Sequence, residues 1–140
     1  MRIEKFRKDS DGTAAIEFAI VAPVFLFLLF AFVAYGIYFG AAHSVQQLAA
    51  DAARASVAGL DLAERRELVN SYVATNASGY PLLAANEIEI TIEENADDNN
   101  QLNVSVKYNA ESLPIWNLFK TIPLPGKTIY RTSTIRTGKV

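Results

Sequence analysis

The chain contains no cysteine. A disulfide framework, a thiolate metal site and a cysteine nucleophile are therefore excluded, although that absence decides nothing about compartment. It has one histidine, His43, with no nucleophile or metal ligand at a recognisable spacing around it. A histidine-centred catalytic site would have no partners, and an interfacial polar residue is the reading that remains. The formal net charge is −2 and the Lys and Arg residues form no dense patch, so the electrostatic footprint of a nucleic-acid binder is missing. The sharpest absence is local: over residues 18–42 there is no Lys, Arg, Asp, Glu or His. That run of about 25 residues exceeds the roughly 20 needed for a helix to cross a bilayer.

What flanks this run suggests an orientation. Arg2, Lys5, Arg7 and Lys8 precede it, and no Lys or Arg follows until Arg54. Basic residues near a span stay in the cytoplasm, so residues 1–12 read as a cytoplasmic leader and the remainder as exported. A cleaved secretory signal is the competitor, but its apolar core is usually about 7–15 residues and ends at a small-x-small site. Here the run is longer and flows into more helix.

The helix is expected to continue past the membrane. Residues 43–58 are alanine-rich and free of proline and glycine, and Val45, Leu48, Ala49, Ala52 and Ser56 fall on one face at helical spacing. One helix over residues 13–58 follows, with a membrane span at about 18–42 and an exported continuation at 43–58. Pro23 removes one backbone hydrogen bond and should bend it. Gly59 is expected to end it. Asp61 and Glu64 read as a capping box for a second helix to about Thr75. Alternation of Ile88, Ile90 and Ile92 with charged residues predicts a strand, as does that of Leu102, Val104, Val106 and Tyr108. Residues 95–101 supply a broad polar hairpin tip, and a third strand is expected at 128–136. Residues 59–140 thus form a small exported domain, and the fold class is α+β: a long transmembrane helix, a short helix and a three-stranded antiparallel sheet.

Among single residues Glu17 stands out, because an ionisable group in a membrane segment costs about 2.5–3.5 kcal/mol. It reads either as a first-turn carboxylate complementing the helix dipole or as one member of a charge pair. If the chain is cut after Gly12, Thr13 gains a protonated amine one helical turn away, on the same chain or on a neighbouring copy. Gly36 and Gly40 form a Gly-x-x-x-Gly pair that permits close helix association, though membrane helices are also generally glycine-rich. Asp97, Asp98, Asn99 and Asn100 lack the spacing and central glycine of a calcium loop and read as a solvated tip. Ile115, Trp116, Leu118 and Phe119 read as core, with a docking surface as the alternative. Glu87, Glu89, Glu93 and Glu94 would be the best case for two-carboxylate catalysis, but they belong to the solvated side of the strand region.

The run Gly12-Thr13-Ala14-Ala15-Ile16-Glu17-Phe18-Ala19-Ile20-Val21-Ala22-Pro23, followed by the apolar stretch and Leu48-Ala49-Ala50-Asp51-Ala52-Ala53-Arg54, resembles the TadE-like family. These are pseudopilins or minor pilins of bacterial tight-adherence (Flp-type) pilus systems. The likeness is closest over residues 8–58 and looser at 104–108 and 133–136. It implies a processing site at Gly12 and Thr13, cut by a prepilin peptidase, with Glu17 and Phe18 as the family's Glu-aromatic pair. The implied partners are the inner membrane, the peptidase, other pilin subunits and the pilus assembly platform. No enzymatic activity, cofactor, metal, nucleic acid or small-molecule substrate is implied. A permanently anchored single-pass protein whose periplasmic domain recruits partners is the alternative, and only the first reading requires loss of the leader.

Overall fold

Apolar periodicity sets the backbone of the molecule. In the computed structural model, which describes residues 9–96, 98–118 and 122–137, one helix α1 spans Asp9–Ala55. Its 47 residues make it about 70 Å long. The helix begins before Thr13 and includes Gly12, earlier than the expected start at residue 13. A lone helical glycine costs only about 1 kcal/mol relative to alanine, too little to interrupt a helix that propagates on both sides. It also continues across Pro23. A short 3-10 turn, Ser56–Ala58, closes it.

Gly59 does follow the end, but in extended geometry (φ −76°, ψ 137°) and not in the left-handed conformation usual for a helix stop. Its requirement is space. A Cβ there would lie 2.7 Å from Arg65 Cγ and 2.8 Å from the Arg65 backbone nitrogen. Helix α2, Leu62–Asn76, starts at Asp61, whose carboxylate accepts from the Glu64 backbone nitrogen at 2.8 Å. The reciprocal bond is displaced by one residue from the usual box, because Glu64 Oε2 accepts from Leu60 N and not from Asp61 N.

The strands are β1, Ile88–Asn95, β2, Asp98–Asn109, and β3, Thr128–Arg136, in the order β1-β2-β3 and antiparallel throughout. The tip of the first hairpin is narrower than expected. Asn95 pairs with Asp98, and a register shift after Glu94 takes up the extra residues on β2. Bonds from Asn95 Nδ2 to Gln101 Oε1 at 2.9 Å, from Gln101 Nε2 to Asp98 Oδ2 at 3.1 Å and from Asn100 N to Asp98 Oδ1 at 3.0 Å hold this turn. Asp97, with the leader's Arg2, Lys5, Arg7 and Lys8 and with Phe119, lies outside the described residues.

Alternation places Ile92, Leu102, Val104, Val106, Tyr108 and Ile129 in the core. The opposite side is polar and cross-linked between strands by Lys107–Glu89 (2.8 Å), Ser105–Thr132 (2.9 Å) and Thr134–Asn103 (2.7 Å). The sheet packs its apolar face on α1 through β2 and β3, while α2 packs beside α1. The contact stripe on α1 is Ala34, Tyr38, Ala41, Ala42, Val45, Leu48, Ala49, Ala52 and Ala53, continued by Ser56 in the closing turn, all buried at a helical period. Small side chains dominate it, so the sheet approaches the helix closely.

Candidate functional site

From Gly12 to Val33, the side chains of α1 are largely uncovered by the described residues. Every side chain in this stretch is exposed except Ala22 and Ala31, which are partly covered. Phe18, Phe32 and their neighbours therefore present apolar surface on all sides of the helix. A helix apolar all round belongs in an apolar solvent. Gly12–Ala58 contains a window long and apolar enough to cross a membrane, with mean hydropathy 2.6 and no buried residue.

Glu17 is exposed on this segment, one turn above Thr13 on the same helical face, and Phe18 beside it is 73% exposed. The geometry thus presents a carboxylate and an adjacent ring to whatever surrounds the helix. A Cβ added at Gly12 would meet nothing within 4 Å, so no packing demands glycine there.

The two glycines of the Gly-x-x-x-Gly pair differ. Gly36 is exposed with open space around it. Gly40 faces Leu82 of the same chain, whose Cδ1 would stand 3.0 Å from an added Cβ. Leu82 reaches it from a left-handed backbone (φ 64°), a conformation unusual for leucine that costs about 1–3 kcal/mol. Its carbonyl accepts from the Tyr108 hydroxyl at 3.1 Å, which fixes the turn. Gly40 is occupied within the fold, and Gly36 alone of the pair opens on an apolar groove of about 510 Å³ lined by Leu28, Ala31, Phe32, Tyr35 and Phe39.

Burial on α1 also begins below residues 42 and 43, the expected edge of the membrane span. Phe32 is 75% exposed, whereas Ala34 is fully buried. Residues 122–126, beyond helix α3 (Ile115–Leu118), meet α1 here. Tyr35 donates its hydroxyl to the Pro123 carbonyl, and Tyr38 donates to the Gly126 carbonyl at 3.1 Å. Trp116 stands edge-on to Tyr38 with centroids 6.5 Å apart, and its indole nitrogen donates to the Ala110 carbonyl. Ile115 is core as expected and Trp116 half-buried. His43 is exposed, one turn above Phe39 on the free side of the helix.

Sequence reasoning missed a second polar cluster. Asp51 accepts from the Tyr80 hydroxyl at 2.8 Å and is ion-paired with Arg54, while Tyr72 and Tyr80 share a hydrogen bond of 3.0 Å. Partial burial, Tyr72 and the Asp51 carboxylate together raise the Tyr80 phenol above its ordinary value, keeping it a donor. An aspartate inside an alanine-rich helical stripe was the available signal. Of the four glutamates singled out in the sequence, Glu87 and Glu89 line one shallow polar cleft with Glu111 and Lys127, where Glu89 is paired with Lys107, and Glu93 and Glu94 do not line it.

Fold and exposure together define a single long helix, half bare and half clothed, that carries a small α+β domain. Residues 12–54 match the profile of the TadE-like protein family. The resemblance read from the sequence therefore holds over this segment, which starts at Gly12 and ends at Arg54. The looser likeness at 104–108 and 133–136 lies outside it. No curated protein and no solved structure matches the chain.

Proposed function

We propose that the chain is a prepilin-type subunit, a minor pilin or pseudopilin of a tight-adherence (Flp-type) pilus system. It sits in the bacterial inner membrane through α1, with residues 1–12 cytoplasmic and the α+β domain periplasmic, and has a structural and not a catalytic role. A prepilin peptidase removes the leader after Gly12, and the mature subunit then meets other pilin subunits and the assembly platform. The observation that carries this reading is Glu17, a lone carboxylate one turn after the junction on a bare apolar helix within the TadE-like segment. In lipid it favours any neighbour that brings a positive charge, and the amine created at Thr13 is such a charge.

The test is Glu17→Gln. Membrane insertion is expected to persist, since removing the charge lowers the cost of insertion, while crosslinking between subunits or surface piliation falls. Unchanged assembly would return Glu17 to the role of a first-turn carboxylate. The unbroken helix across Gly12 favours the second reading, a permanently anchored binding protein, because it offers a peptidase no preformed extended segment. Retention of the leader in the native membrane would establish that reading.

A further inference from the structure

We propose that Tyr35, Phe39 and Trp116, together with residues 122–126, form a membrane-seating surface that rests in the headgroup layer of the leaflet facing the domain. Its partner is the bilayer itself, and the contact fixes how deeply α1 sits. The proposal rests on α1 being a membrane span.

Three observations converge on this surface. First, two changes of environment on α1 coincide. On the covered side burial begins at Ala34, and on the free side Phe39, the last exposed aromatic residue of α1, is followed one turn later by His43 and then Gln47. Tyr35 and Phe39 lie about 6 Å apart along the axis, close to the thickness of one headgroup layer, roughly 5–8 Å.

Second, the aromatic residues suit an interface. Tyr35, Tyr38, Phe39 and Trp116 form one cluster, with ring centroids 6.0 Å apart for both tyrosines against Phe39. Tyrosine and tryptophan rings concentrate where hydrocarbon meets headgroups.

Third, the adjoining backbone suits scarce water. Irregular backbone near lipid must have its polar groups satisfied within the protein. Pro123 and Pro125 bring no N–H to satisfy, and the carbonyls of Pro123 and Gly126 are capped by the Tyr35 and Tyr38 hydroxyls. A loop in open water would need neither device.

The seating has a consequence at the other end of the helix. Glu17 lies 18 residues below Tyr35, about 27 Å, and Thr13 lies 22 residues below, about 33 Å. Against a hydrocarbon core of about 30 Å, Glu17 falls just inside the opposite edge and the Gly12–Thr13 bond just outside. Had the span ended at Ala42, Glu17 would lie about 37 Å down and outside the hydrocarbon.

The cysteine-free chain permits a direct test. Single-cysteine variants Leu28→Cys, Phe39→Cys, His43→Cys, Gln47→Cys and Pro123→Cys of the full chain are spin-labelled in phosphatidylethanolamine/phosphatidylglycerol vesicles. Depth is read from relaxation by oxygen against a water-soluble nickel complex. The label at position 28 is expected deep in hydrocarbon, those at 39 and 123 in the headgroup layer, and those at 43 and 47 in water. Hydrocarbon depth at 39 and 43, or water at 39 and 123 with hydrocarbon at 28, overturns the seating while leaving the span intact. Water at position 28 overturns the span and the seating with it. The unsubstituted chain gives a second reading through Trp116, its only tryptophan. Lipids brominated near the headgroup should quench it more than lipids brominated near the chain ends. The reverse order, or no quenching by either, contradicts the proposal.

Discussion

The two halves of α1 share one uninterrupted helix and a predominance of apolar residues, yet they dispose of those residues in opposite ways. Below Val33 the side chains point outward on every side and almost none is covered. Above it a stripe of alanine, valine and leucine is buried under the sheet and α2, and the remaining faces carry His43, Gln47 and Arg54. Size differs as well: phenylalanine and leucine fill the bare half, alanine the stripe. A helix that meets lipid gains from large side chains in all directions. A helix that meets a sheet gains from small ones on a single face, because close approach brings more of the core into contact. One sequence thus writes two solvents into one element.

Moving a charge between the halves should break this contrast most severely. Ala52→Asp places a carboxylate in the buried core, at a cost of several kcal/mol that consumes much or all of the stability of a small domain. Cooperative thermal unfolding of the domain in detergent should be lost. Leu28→Asp should leave that unfolding transition in place and instead lower insertion, by about 2.5–3.5 kcal/mol on insertion scales.

The glycines sharpen the boundary. Gly40→Leu must displace Leu82 and should cost about 1–3 kcal/mol of domain stability, seen as a lower melting temperature. Gly36→Leu, with open space to fill, should leave melting unchanged. Any fall in subunit crosslinking for that variant would then report helix association directly.

The smallest effect lies far from the bare half of α1. Lys127 lies just before β3 and Glu111 just after β2, and their 3.0 Å ion pair holds the Glu111 carboxyl below its ordinary value of 4.5. Because the folded value is the lower one, the pair contributes fully above about pH 4.5 and is lost as pH falls through the folded value. Both groups are solvent-exposed, so Glu111→Gln should change melting slightly at neutral pH and not at all in strong acid.

Local periodicity explains what was legible beforehand. The buried faces of 45–56 and of β1 and β2 follow from spacing alone, and so does the N-cap at Asp61. The uncharged run at 18–42 marked a candidate membrane span but did not show where burial by the rest of the chain begins, because tyrosine and alanine at 34–42 suit lipid and protein equally. Only the distant 122–126 segment decides between them. Tyr35 and Tyr38 find their acceptors 88 residues away, a pairing no local pattern encodes. Leu82 over Gly40 is equally nonlocal, which is why a Gly-x-x-x-Gly pair read as one feature divides into two. The leader junction was misjudged in another way: Asp11 and Gly12 are poor helix formers, but neither opposes a helix strongly enough to stop it.

The account turns on whether the chain is cut at the mouth of α1. Intact-mass measurement of the protein from its native membrane, where its cognate prepilin peptidase is present, reads this without any substitution. The expected mass lacks residues 1–12, for a mature chain beginning Thr13-Ala14-Ala15, plus the mass of any modification on the new amine. A mass that retains the leader would contradict the pilin mechanism and leave a permanently anchored protein.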